Sequence, residues 1–363
     1  MPTTRGDAGA WLNAIGTATP PHDVHEKFVA VAGGALASPR DRRLFARMAD
    51  RAGIAHRYSV LEPCAEADAY DTGGVFRLGA FPDTAARMRL FDAHALPLAL
   101  GALDDLAATE GPGWAAGVSH LIVTCCTGFA APGFDSALID RVGLDRGVER
   151  TLIGFMGCNA AFNGLKLARH IVRSEPRARV LVVSLELCTL HLQDTQDLGK
   201  TLSFLIFADG CATALVSAEP RGLRLDRFAS TLWRDGQDLI TWGIGMSGFD
   251  MHLSGEVPAA IARKLPDHAA ELAGQRPRDE IASWAVHPGG RTILDAVEQG
   301  LELDRAVLDA SRSVLRDYGN MSSATILFVL QRMLAERREG PGLAFGFGPG
   351  LSVESMAFEG VAA

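Results

Sequence analysis

The sequence has no excess of positive charge, no cysteines at CxxC spacing, no apolar run long enough to cross a bilayer and no recognisable leader. Each absence excludes a class of function. Lys plus Arg number 35 against 43 Asp plus Glu, a net charge of -8. A whole-protein field that gathers nucleic acid or anionic membrane is therefore not expected, and any anionic ligand must be met locally. The six cysteines show no regular spacing, which excludes a disulfide framework or a zinc knuckle. The longest apolar runs, such as Val180–Val183 and Ile326–Leu330, are far below the roughly 20 residues of a membrane span. The opening residues MPTTRGDAGAW lack the charged start, apolar core and small-residue cleavage site of a secretory signal. The expectation is a cytoplasmic protein with neither nucleic acid nor membrane as partner.

What is present is a chain of 363 residues, 48% apolar, long enough for two packed units or one large double unit. A strand is predicted over Trp11–Ala18, helices over His25–Leu36 and Arg40–Ala52, and irregular structure from Pro63 to Pro82. The three- and four-residue spacing of Met88, Phe91, Ala95 and Leu98 predicts a long helix over Asp83–Glu110, interrupted or kinked near Pro97. An α/β pattern follows: strand Leu121–Thr124, helix Asp135–Arg141, strand Thr151–Met156, helix Asn159–Arg173, strand Arg179–Leu185. Such continuously apolar strands belong to a sheet covered on both faces. A second block repeats the theme with strand Ile281–Val286, helices starting near Arg291, Asp304 and Met321, and closing strands Gly342–Phe347 and Leu351–Phe358. The passage between the blocks falls near Pro220.

Four segments carry chemistry. Cys158 stands where a buried strand turns through Gly157 into an amphipathic helix. A thiol at a helix's first turn faces unpaired N–H groups and the positive end of the dipole, which favours the thiolate. His287 ends a strand and opens the loop His287-Pro288-Gly289-Gly290, at the strand end where α/β sheets bind ligands. Asn320 lies in Gly319-Asn320-Met321-Ser322-Ser323 at a helix boundary, where a plain N-cap is the competing explanation. Gly346-Phe347-Gly348-Pro349-Gly350 joins two strands, either as a tight hairpin or to let backbone approach a ligand. A row of Arg43, Arg47 and Arg51 at four-residue steps shares one helical face, with Leu44 and Met48 on an adjacent stripe expected to be buried.

Cys at an elbow, His in HPGG, Asn in GNMSSA and a GFGPG loop, in that order, resemble the type III polyketide synthases, the chalcone-synthase-like branch of the thiolase superfamily, and in detail its bacterial members. HLIVTCCTGFAAPG at His120–Gly133, FADG at Phe207–Gly210 and HLSGEVP at His252–Pro258 extend the likeness from Trp11 to Phe358. The wording HPGG and GNMSS favours this branch over the ketoacyl-carrier-protein synthase III branch, which shares the Cys-His-Asn set. The resemblance implies a thiolase-type five-layered αβαβα fold of two similar halves, residues 1–219 with the Cys and residues 220–363 with the His and Asn. It implies an acyltransferase that loads an acyl-CoA starter on Cys158, extends it with malonyl-CoA and cyclises the product to a pyrone, resorcinol or related phenol. The rivals are a single condensation on a carrier-protein substrate and a non-catalytic acyl-CoA-binding homologue.

A cysteine thioester holds one acyl group. Decarboxylation of malonyl-CoA leaves an enolate that imidazole and carboxamide donors, here His287 and Asn320, can stabilise. CoA thioesters are then substrates, and neither a metal nor a redox cofactor is required. By resemblance Phe207 is an aromatic gatekeeper, and the second gatekeeper is replaced by Met251 with Phe249 two residues earlier. Cys126, Thr127, Ala131, Cys188 and His191 line the cavity by the same likeness. Ala131 stands where relatives often carry a Met that reaches into the neighbouring subunit of a homodimer. Arg47 and Arg51, with Arg43, match the basic helix that clamps CoA phosphates.

Overall fold

The structure is a computed structural model that describes residues 9–361; the amino-terminal stretch read for a leader lies, up to residue 8, outside the described residues. The chain begins with strand β1 (Trp11–Ala18), the two-residue strand β2 (His22–Asp23), helices α1 (His25–Ala35) and α2 (Pro39–Asp50) and the short β3 (Tyr58–Ser59). Then come α3 (Thr84–Glu110), β4 (His120–Cys125), α4 (Phe134–Val142), β5 (Glu149–Gly154), α5 (Ala160–Ser174), β6 (Val180–Leu187), α6 (Leu198–Phe204) and β7 (Asp209–Ser217). After Pro220 the chain forms β8 (Leu223–Leu232), the hairpin β9 (Ile240–Gly245) and β10 (Gly248–Leu253), α7 (Val257–Leu272) and β11 (Ser283–Val286). It closes with α8 (Arg291–Leu301), α9 (Asp309–Tyr318), α10 (Thr325–Ala335), β12 (Gly340–Gly348) and β13 (Ser352–Gly360).

Nine strands form one mixed sheet in the order β11-β12-β13-β8-β1-β7-β6-β4-β5. The two halves meet edge to edge where Trp11 and Leu12 pair with Arg224 and Leu223. Strand alternation explains the layers, because successive side chains point to opposite faces. In β4 and β6, Leu121, Val123, Leu181 and Val183 enter one core with Phe91, Leu98 and Leu106 of α3. Their neighbours Ile122, Val180 and Val182 enter a second core with Phe162 and Leu165 of α5 and Ile326 and Leu330 of α10. In β12, Ala344 faces that central core, whereas Leu343, Phe345 and Phe347 face a third, built on Ile261 of α7 and Leu294 of α8. Outer helices, the two halves of the sheet and the central helices between them make the five layers that the resemblance implied.

Three features differ from expectation: the continuity of one helix, the end of one strand and the buried face of another helix. Helix α3 runs unbroken through Pro97, from the Asp83 cap that accepts a 2.7 Å hydrogen bond from Ala86 N–H to Gly111. Strand β5 ends at Gly154 because Phe155 takes φ +54°, incompatible with a strand. On α2 the buried positions are Phe45 and Ala49, while Met48 is exposed, so the buried stripe lies one residue beyond the one predicted. Among the described residues no helix is long and apolar enough to cross a membrane.

Candidate active site

Strands β4, β5 and β6 run parallel to one another, as β11 does to β12, and the carboxyl ends of these parallel strands lead into one cavity. Cys126 and Thr127 follow β4, Cys158 follows β5, Cys188 follows β6 and His287 follows β11; Asn320 enters from the α9–α10 turn, and all line the cavity.

Cys158 sits in a single 3-10 turn, Gly157–Asn159, that leads into α5. Gly157 has φ +61°, and an added Cβ would stand 2.3 Å from Pro349 Cδ, so the elbow and the GFGPG loop fit only with glycine at this position. Gly157 N–H donates to Cys126 Sγ at 3.1 Å. Burial opposes the depressed thiol pKa expected from the helix terminus: it pushes Cys158 up to about 11, against hydrogen bonds from Ser322 and Asn320 and with a further upward contribution from Glu186. A thiolate here needs a facing cation.

His287 continues the β11 ladder by donating its N–H to Phe345 O at 2.9 Å. Its ring is buried, neither Nδ1 nor Nε2 has a hydrogen-bond partner, and burial lowers its pKa to about 3. Gly346 gives the ring room, since a Cβ there would come within 2.9 Å of His287 Cβ. The GFGPG segment is thus both a hairpin turn, with Gly348 paired to Ser352, and a site of close approach.

Asn320 is held at its backbone and its side chain. Its N–H donates to Ile206 O (2.8 Å) and its carbonyl accepts from Ala208 N–H (2.9 Å), bridging it to Phe207. Its Oδ1 accepts from Ser322 N–H at 2.9 Å and from Thr325 Oγ1 at 3.4 Å, which fixes the amide so that Nδ2 is turned to the Cys158 sulfur, with a long 3.4 Å contact to Gly289 O. The positive φ of Ser322, +47°, makes that turn.

Phe207, Met251, Cys126, Thr127 and Cys188 line the cavity as the resemblance implied. Two predicted wall residues do not. Ala131 lies on an exposed loop, and His191 is buried behind the wall, where its ring stacks on Phe249 at 4.2 Å between centroids. His191 Nε2–H donates to Thr127 O (2.7 Å) and Nδ1 accepts from Phe249 N–H (3.0 Å), so it ties the β9–β10 hairpin to the Cys126–Thr127 loop. Burial lowers its pKa to about 3 and keeps it neutral. The wall residues missed from sequence are Trp242 and Ile240, paired across the hairpin with Met251 and Leu253, together with Phe204 and Phe347. The period-two alternation of residues 240–253 was the available signal. Trp242 Nε1–H donates to Cys126 O at 2.8 Å.

Behind the sulfur, Glu186 is fully buried in β6 and accepts from Cys126 N–H (3.0 Å), Thr127 Oγ1 (2.9 Å) and Ser323 Oγ (2.5 Å). Burial pushes its carboxyl up to about 7 despite these donors. Arg43, Arg47 and Arg51 are exposed, outside the cavity lining, and in no ion pair among the described residues. Arg51 O accepts from Arg291 Nη1 (2.9 Å), which sets the end of α2 beside the first turn of α8, where Ile293 lines the cavity.

Family models for the N-terminal and C-terminal domains of chalcone and stilbene synthases match residues 2–220 and 225–362. The alpha-pyrone synthesis polyketide synthase-like Pks18 of Mycobacterium tuberculosis is 33% identical over 286 residues, 75% of this chain and 72% of that protein. PKS-I of the brown alga Ectocarpus siliculosus superposes with a TM-score of 0.87 at 29% identity, covering 97% of this chain and 98% of that one. The 1,3,6,8-tetrahydroxynaphthalene synthase of Streptomyces coelicolor A3(2), a bacterial type III polyketide synthase, gives 0.85 at 28%, covering 97% of this chain and all of that one. With both halves matched in order, this chain belongs to the chalcone and stilbene synthase family of type III polyketide synthases, acyltransferases that use acyl-CoA and malonyl-CoA in decarboxylative Claisen condensation.

Proposed function

We propose that Cys158 is the acyl-carrying nucleophile and that His287 and Asn320 are the donors that stabilise the malonyl-derived enolate. The observation that carries this reading is one cavity lined by the three side chains, with both His287 nitrogens unpartnered, Asn320 Oδ1 engaged by Ser322 and Asn320 Nδ2–H turned to the Cys158 sulfur. Cys158 Sγ attacks the starter thioester with its proton passing to His287; the new C–S bond forms as CoA leaves as its thiol. Malonyl-CoA then loses carbon dioxide, and the enolate oxygen accepts from His287 N–H and Asn320 Nδ2–H. The enolate carbon attacks the Cys158 thioester, forming the C–C bond and releasing the cysteine sulfur, and the lengthened chain can be reloaded. These steps use only side chains and CoA thioesters.

The wall is almost wholly apolar, with Phe204, Ile240, Trp242, Met251 and Leu253, which favours an aliphatic acyl starter of medium or long chain. A pyrone or resorcinol is the proposed product, in keeping with the alpha-pyrone activity named for Pks18. Arg43, Arg47 and Arg51 are the proposed phosphate clamp, favoured by their lack of carboxylate partners and by the place of Arg51 beside α8. A cytoplasmic homodimer is proposed, supported by the exposed Leu152 and Met156 on and beside edge strand β5. Incubation with malonyl-CoA and an acyl-CoA, without carrier protein, should give products of two or more extensions by mass spectrometry and an acyl adduct lost in Cys158→Ala. An adduct retained in that variant moves the nucleophile elsewhere.

A further inference from the structure

Arg57 is fully buried among the described residues, 1% exposed, and forms no salt bridge to a carboxylate. Its cost of desolvation must be met by what it holds. Nη1 donates to Phe204 O (3.0 Å) and Phe207 O (2.7 Å), Nε donates to His25 Nδ1 (3.0 Å), and the guanidinium carbon lies 4.6 Å from the centre of the Phe28 ring. The two carbonyls bracket the segment that grips Asn320, through Ile206 O and Ala208 N–H. The stem of Arg57 packs against the preceding residue, Gly319. Gly319, at φ +71°, is so close that a Cβ there would stand 2.8 Å from Arg57 Cγ and 3.0 Å from Ile206 O.

We infer that Arg57 is the positioning residue for Asn320: its guanidinium fixes the 204–207 backbone on which the Asn320 peptide hangs, and its stem fixes the turn at Gly319. Arg57 does not itself line the cavity and meets it only through the backbone carbonyls of Phe204 and Phe207. Cys158 is carried by the turn before α5 and His287 by the end of β11, so the loss should fall on one partial reaction. The inference rests on the proposed role of Asn320 in enolate formation.

The test separates the half-reactions in Arg57→Met, which keeps a stem against Gly319 but leaves both carbonyls without a donor. Decarboxylation of malonyl-CoA should lose on the order of 10- to 100-fold in kcat, as displacement of a catalytic group by about 1 Å does. KM for malonyl-CoA and the rate of Cys158 acylation, read by intact-protein mass, should stay within about twofold of the parent enzyme. Arg57→Lys keeps the charge and can reach one carbonyl, so it should lie between the two; it carries the same ratio test if Arg57→Met does not fold. Decarboxylation and acylation falling in parallel, or neither falling, overturns the inference. Asn320→Ala is measured alongside. If it leaves decarboxylation intact, the reading of Asn320 fails and the inference with it; if it abolishes decarboxylation while Arg57→Met does not lower it, only the role of Arg57 fails.

Discussion

Gly157 and Pro349 are in contact across the two halves of the chain, and the space between them is smaller than a methyl group: an added Cβ on Gly157 would lie 2.3 Å from Pro349 Cδ. The GFGPG turn therefore buttresses the backbone immediately before Cys158. Gly157→Ala adds that methyl at φ +61°. Left-handed strain of about 1–2 kcal/mol and overpacking of about 1–3 kcal/mol should lower Tm and displace the thiol. Covalent loading should fall well before the fold is lost. Normal loading at an unchanged Tm would show that the turn does not set the sulfur.

Removing His287 should expose what burial does to the thiol. Burial, with Glu186 adding to it, drives Cys158 up to about 11, and burial drives His287 down to about 3, so each charge is disfavoured singly and the proposed pair is favoured only together. In His287→Ala, the rate of Cys158 alkylation by iodoacetamide at pH 7 should fall by on the order of tenfold or more, with the midpoint of its pH profile moving upward. Superimposable profiles would remove His287 from thiol activation.

Charge reversal on the basic row should act on binding. Arg47→Glu and Arg51→Glu should raise KM for malonyl-CoA by about fivefold or more with little change in kcat, because contacts remote from the reacting carbon hold ground and transition states alike. An unchanged KM in both would make the row a solvated helix face.

Starter length follows from the wall. Across a series from acetyl-CoA to stearoyl-CoA, kcat/KM should rise as each buried methylene contributes about 0.8 kcal/mol, until the cavity is filled. Cys188→Phe, which places a ring in the cavity, should shorten the longest accepted chain. A flat or falling series argues against an aliphatic starter, and a change only in the number of malonyl additions would place Cys188 beside the growing polyketide.

The residues legible from sequence are those at which local backbone chemistry and side-chain chemistry coincide. Cys158 follows an obligatory glycine, His287 ends a strand before two glycines, and Asn320 sits in a turn that needs Gly319 and Ser322 at positive φ. That helices cover the sheet on both faces was legible because β4 and β6 are apolar on both faces, whereas the five layers came from the motif resemblance. Phe204 was not legible, since it reaches the cavity only through the tertiary placement of a short helix, and for Trp242 the alternation of residues 240–253 marks a strand face but not the cavity that the face meets. His191 was assigned to the wall by its neighbourhood, yet its two hydrogen bonds turn the ring into the interior and leave Trp242 in front. Ala131 lies on an exposed loop of this chain. Arg57 and Glu186 carry no local signature, because a buried charge in sequence looks like any surface charge.

Glu186 gives the last prediction, and its sign follows from proton counting. Its carboxyl stands at about 7 in the folded chain against an ordinary 4.5, so between those values the native state binds more protons than the unfolded one. Stability from this group is fully present below about pH 4.5, is lost as pH rises toward 7 and is flat above. Glu186→Gln keeps an acceptor for Cys126 N–H and Thr127 Oγ1, lets Ser323 Oγ reverse its role, and does not titrate. The variant should therefore gain on the parent by up to about 3 kcal/mol between pH 4.5 and 8, whatever its offset at low pH. Urea unfolding at pH 5 and pH 8 reads this difference of differences. The same substitution removes a negative charge that raises the Cys158 pKa, so the alkylation midpoint of Cys158 should move down. A stability difference that does not change with pH would mean that Glu186 is ionised throughout.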